Sequence, residues 1–179
     1  MRAKRYLKDY RMESKLNSKG SLSARASYVG SYHRFSADAK SLARAKRSYL
    51  ILTLASVILF VIQLWFTDLI DRDKRYLLLP MSFNALPAFG VVLGVIRLHL
   101  VDEQMTNLQR DRICNRLPMF SFLFFFLAAL SLVSTVAELL MNGLAVSRFF
   151  YAVDAMVLLL LSFRIFTLRK ILKTEMVCS

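Results

Sequence analysis

The stretch LILTLASVILFVIQLWF, Leu50–Phe66, decides the architecture. It carries no charged side chain, and with its flanks it forms an apolar segment over Tyr49–Leu69. At roughly 1.5 Å per residue, about 20 helical residues cross the ~30 Å hydrocarbon layer of a bilayer. A buried helix of a water-soluble protein rarely runs this long without polar interruption. In hydrocarbon the backbone must satisfy its own hydrogen bonds, so the segment is expected to be helical.

Three further segments share this character: Tyr76–Leu98, Leu117–Met141 and Phe149–Leu168. The chain is 56% apolar and yet 21% charged. Both values can be high only because the two classes are segregated along the chain. The sequence therefore predicts an all-α integral membrane four-helix bundle with a helical cytoplasmic N-terminal region. The segment ends carry fitting chemistry. Pro118 stands in the first turn of the third helix, where its missing N–H is no loss. Asn142-Gly143 suits a helix C-cap and turn. Pro80 stands near the start of the second helix. Tyr49, Trp65, Tyr76 and Tyr151 fall near the expected bilayer edges, where amphipathic rings prefer to lie.

Orientation follows from the cations. Residues 1–48 hold 13 Lys and Arg, the second loop 4 counted from Arg97, and the tail 4 counted from Arg164. The first loop holds 3 (Arg72, Lys74, Arg75) and the last only Arg148. The positive-inside rule thus sets 21 basic residues against 4 and predicts cytoplasmic N- and C-termini. With no organelle-targeting signal, the cell membrane is the expected location. No apolar core follows the basic first residues, so no cleaved signal peptide is expected. Cys114 and Cys178 would lie on the reducing side, without disulfide, zinc site or cofactor.

The predicted cytoplasmic parts are residues 1–48, the second loop and the tail 169–179. Arg2–Asn17 reads as a short helix with Ala3, Tyr6, Leu7 and Tyr10 on one face. Arg2, Lys4, Arg5, Tyr6, Leu7, Lys8 and Tyr10 form its expected membrane-surface set, lying on anionic lipid headgroups. Ser18–Gly20 ends it, and SLSARASYVGSYHRF (Ser21–Phe35) reads as irregular. Ala37–Arg47 reads as a helix running into the first span. The spacing of Leu98, Val101, Met105 and Leu108 predicts that the second helix extends into the cytoplasm to about residue 112.

No phosphate loop, GxSxG, HExxH or dinucleotide loop is present, and no enzyme is expected. His33 and His99 read as ordinary surface or interfacial histidines. Asp102-Glu103 and Asp111 are too few for a metal site. Basic charge with no reading motif does not point to nucleic acid. Gly90 and Gly94 form a GxxxG that lets another helix approach closely, within the chain or in a homo-oligomer. Pro87 removes a backbone bond to the Phe83 carbonyl, and a kink is expected there.

Glu138 and Asp154 are acids within predicted spans, both in the outer half, with Gln63 and Asn84 at comparable depth. An ionisable residue in a span is a functional candidate by default. These four make a candidate cation or proton site facing the bundle interior. Alternatively, Arg148 in the connecting turn pairs with one acid. The expected function is a non-enzymatic accessory, scaffold or immunity-type component of a membrane complex, with a membrane protein partner or a homo-oligomer. The alternative is a small transporter or channel protomer using the outer-half acids.

Overall fold

The structure, a computed structural model, describes residues 8–16, 22–66, 75–101, 104–143 and 146–177. Four helices long and apolar enough to span a membrane dominate it. They are α1 (Ala39–Phe66), α2 (Arg75–Leu100), α4 (Leu117–Asn142) and α5 (Val146–Thr167). A short α3 (Asn107–Arg110) and a wide π turn (Asp111–Arg116) lead into α4. Pro118 lacks the N–H that would bond the Cys114 carbonyl in α geometry, and the wide turn lies just ahead of it. Helix α2 runs unbroken through Pro80 and Pro87.

The buried residues recur at alternating three- and four-residue steps. On α4 they are Leu117, Ser121, Phe124, Ala128, Ser131, Thr135 and Glu138; on α5, Tyr151, Ala155, Leu158, Ser162 and Ile165. This 3.5-residue repeat is that of left-handed bundles. Helix α4 packs along α2 and α5, α5 also packs along α1, and α1 meets α2 over a shorter contact. Away from the charged ends next to the cap, the outward faces are predominantly apolar: Leu54, Phe89, Val133 and Leu160 are each more than half exposed. Ser56, Gln63, Asn84, Ser131, Thr135, Glu138 and Ser162 point inward instead. A Cβ on Gly90 would fall 2.5 Å from the Phe120 ring, and one on Gly94 would fall 2.7 Å from Leu117. The GxxxG therefore serves packing of α2 on α4 within the chain.

The charged end departs from the expectation. Tyr10–Leu16 is a strand, β1, paired antiparallel with β2 (Leu22–Tyr28). The helix predicted over Arg2–Asn17 is thus replaced by a hairpin over its described part. Arg2, Lys4, Arg5, Tyr6 and Leu7 lie outside the described residues. The overlooked signal is alternation: apolar Tyr10, Met12 and Leu16 are interleaved with Arg11, Glu13 and Lys15, and Leu22, Ala24, Ala26 and Tyr28 with Ser23, Arg25 and Ser27. The stretch read as irregular is β2 and then β3 (Tyr32–Phe35).

Strand β3 is the centre of a second sheet. On one side it pairs with β4 (Gln104–Met105), on the other with β5 (Thr174–Val177), which follows a 3₁₀ turn over Leu168–Leu172. The predicted extension of α2 to about residue 112 is also overturned. The helix ends at Leu100, and Met105 instead faces His33 across the sheet. Thr106-Asn-Leu-Gln109 is a capping box: Thr106 Oγ1 accepts from the Gln109 N–H, and Gln109 Oε1 accepts from the Thr106 N–H at 2.8 Å. This motif starts a new helix and so breaks the old one. One apolar core runs from Phe35, Met105 and Leu172 under the sheet to Leu98, Ile113, Phe124 and Leu158 within the bundle.

Candidate functional site: buried polar layers and a charged cap

Phe60, Met81 and Tyr151 form a buried layer across α1, α2 and α5, and the Tyr151 hydroxyl donates to Met81 Sδ at 3.1 Å. Its register sorts the four polar candidates. One helical turn from this layer, away from the sheet, lie Gln63 on α1 and Arg148 on α5, with Glu138 against Arg148. One turn toward the sheet lie Asn84 on α2 and Asp154 on α5, a step of about 4.5 Å. The candidates thus occupy two levels separated by an apolar layer.

Their surroundings differ. Glu138 is 2% exposed, and its Oε1 lies 3.7 Å from Arg148 Nε. Arg148 also donates to the Gly143 carbonyl at 3.3 Å, so the turn after α4 is fastened to the start of α5. Gln63 and Asn84 are each 1% exposed, with Gln63 Nε2 and Asn84 Oδ1 lacking hydrogen-bond partners. Asp154 is half-buried, and its Oδ2 is buried without a partner.

Most of the buried hydroxyls satisfy themselves on their own helix. Ser56 donates to the Leu52 carbonyl, Ser121 to Leu117, Thr135 to Ser131 and Ser162 to Leu159, each at 2.8 Å. Such bonds let small polar residues enter an apolar bundle without a partner helix. Thr53 Oγ1 is unpartnered. Thr53 lines a cavity of about 10 Å³ with Ser56, Ala88, Val91, Phe124 and Ile165. That is room for roughly one water.

The cap holds a polar chain that the sequence did not reveal. His33 is 2% exposed, and its Nε2 lies 2.6 Å from Asn107 Oδ1, which makes Nε2–H the donor. Asn107 Nδ2 donates to Asp9 Oδ2 at 3.0 Å, and the Asn107 N–H donates to the Tyr28 hydroxyl at 3.0 Å. The reading of His33 as a surface histidine is therefore corrected: it stitches β3 to α3 and, through Asn107, to the root of the hairpin. His99 is exposed, with Nδ1 3.0 Å from the Val95 carbonyl. Burial pushes the Tyr28 phenol above its ordinary value, and its hydroxyl donates to the Ser31 carbonyl at 2.9 Å.

Lys46 on α1 donates to the Val101 carbonyl at 2.9 Å. Arg110 donates to Thr174, and the Arg169 guanidinium lies 3.9 Å over the Phe166 ring. Cys114 lies beside Thr174, and burial pushes its thiol up to about 11. Cys178 lies outside the described residues. In the sequence, residues 1–48, 97–116 and 164–179 hold 21 of the 25 basic and 7 of the 12 acidic residues, or +14 against −1 for the remainder, and their described parts meet at this end. Among the described residues, no three His, Cys, Asp or Glu side chains are grouped so as to hold a metal. Comparison with protein-family models, with curated proteins and with solved structures finds no match for this chain.

Proposed function

We propose that this protein is a multi-pass component of the cell membrane, with N- and C-termini in the cytoplasm, and that it acts as a non-enzymatic accessory, scaffold or immunity-type subunit of a membrane complex. The observation that carries this reading is the cap. Three basic segments far apart in sequence are woven into one small folded body at one end of an apolar bundle. A cap of this kind offers a polar docking surface that needs no catalytic group.

Two features support the membrane placement. The exposed faces of all four helices are predominantly apolar away from their charged ends, whereas water-soluble monomers rarely show contiguous apolar patches beyond a few hundred Å². All three cation-rich segments also meet at the same end, as the positive-inside rule requires. The transporter or channel alternative draws less support: Glu138 already has Arg148 as its counter-ion, and Gln63 with Glu138 stands two helical turns from Asn84 and Asp154 rather than converging with them.

Crosslinking in native membranes, followed by detergent extraction and identification of the captured proteins, tests the reading. A defined membrane protein partner, lost on removal of residues 8–28, is the expected result. A symmetric homo-oligomer that conducts ions in liposomes would replace it with the transporter reading.

A further inference from the structure

The hairpin β1–β2 packs chiefly on itself. A two-stranded hairpin alone in water is marginally stable. Its register places Tyr10 opposite Tyr28 and Met12 opposite Ala26, while Arg11 lies opposite Ser27. Alternation puts the first four on one face and Arg11 and Ser27 on the other. The pairing continues in the same parity as far as Leu16 opposite Leu22. Met12 is 74% exposed, and Tyr10 is exposed as well.

The root of the hairpin shows which way this apolar face is turned. The Tyr28 ring packs edge-on against Tyr10 (5.2 Å between centroids) and Tyr32 (5.0 Å). Its hydroxyl receives the Asn107 N–H. Asn107 opens the helical run that leads into α4. The Tyr28 face is therefore the side turned toward α3 and the segment that enters α4, and Met12 continues that face beyond the last contact with the cap. Only Ser36–Asp38 separate β3 from α1, so the hairpin is rooted close to the start of the first apolar helix.

We propose that the Tyr10–Met12–Ala26–Tyr28 face lies on the anionic headgroup layer of the membrane that the bundle occupies. This rests on the membrane placement proposed above. The nearest apolar phase on that side is the bilayer itself, and tyrosine rings favour its interface. The +14 end of the molecule favours an anionic leaflet. Arg11 and Ser27 then face the cytoplasm and are left free for a protein partner.

Tryptophan scanning of the full-length protein in nanodiscs tests this. In a Trp65→Phe background, Met12→Trp and Ser27→Trp probe the two faces, and Leu54→Trp probes the exterior of α1. Discs contain brominated acyl chains with or without phosphatidylglycerol. Met12→Trp should shift to the blue and lose intensity in anionic discs, and high salt should reverse both changes. Ser27→Trp should keep a water-exposed spectrum throughout. Equal quenching at both hairpin positions, none at Met12→Trp, or quenching indifferent to lipid charge each overturns the proposal. Absence of quenching at Leu54→Trp would instead sink the membrane placement itself.

Discussion

The bundle and the cap obey different solvents. In the bundle, polar residues hide and apolar ones face outward, and each helix satisfies its own backbone. Even most of its buried serines and threonines bond one turn back on the same helix. In the cap the reverse holds. The cations face mostly outward, and the second sheet is paired across long gaps, as when His33 pairs with both Met105 and Met176. A segment whose hydrogen bonds are local is stable wherever its solvent is apolar. A sheet assembled from three distant segments stands or falls as a unit.

That contrast can be broken most severely at Phe35, which is 5% exposed and is shared by the sheet and the core. Phe35→Ala should cost about 3–5 kcal/mol, as for large-to-small changes in a packed core. Limited proteolysis should then cut residues 8–38 and the segment after Leu172, while α1, α2, α4 and α5 stay protected. Cleavage within the helices as well would mean that cap and bundle are one cooperative unit.

Arg148→Ala attacks the bundle where it is least self-sufficient. It leaves the Glu138 carboxylate buried without its counter-ion, a loss of about 3 kcal/mol at the lower end for broken buried pairs, since Arg148 is itself partly exposed. Unfolding in mixed detergent should show the loss, and adding Glu138→Gln should restore most of it. A smaller effect is expected from Gly90→Ala, whose methyl meets the Phe120 ring. Overpacking of this kind costs about 1–3 kcal/mol. Its signature is weaker α2–α4 packing with an intact cap, read by hydrogen exchange. Thr106→Ala removes one side-chain cap and should cost about 1 kcal/mol, confined to exchange at α3 and the π turn.

The mildest test concerns Cys114. Its thiol is held up to about 11, so at pH 7 less of it is thiolate than in an ordinary cysteine. A membrane-impermeant maleimide should react slowly, faster as pH rises toward 11, and only after the membrane is opened. Rapid labelling in intact cells would reverse the proposed topology.

The helices were legible because apolar runs near 20 residues leave a chain few choices but helix. The inward placement of Gln63, Asn84 and Glu138 followed from cost alone. Their division into two layers did not, since one sequence does not reveal how each helix is rotated. The cap was partly legible. The alternation Tyr10-Arg-Met-Glu-Ser-Lys-Leu16 and the Thr106–Gln109 capping box are local signals, overlooked beside a stronger-looking helical spacing. The sheet partners of β3 were not, because nothing near Tyr32–Phe35 announces Gln104–Met105 or Thr174–Val177. His33 read as ordinary for the same reason: its partner Asn107 is distant in sequence.

The central strand also sets a timetable. At synthesis rates of about 5–20 residues per second, β3 emerges on the order of 10 s before β5 exists. In that interval the apolar helices are made, and on the proposed placement enter the membrane, while Tyr32–Phe35 still lacks its β5 partner. Closing so long a loop is slow compared with forming a helix. Completion of the sheet is thus a late event that needs α5 already made, and a chain with α5 misplaced would leave one edge of β3 unpaired.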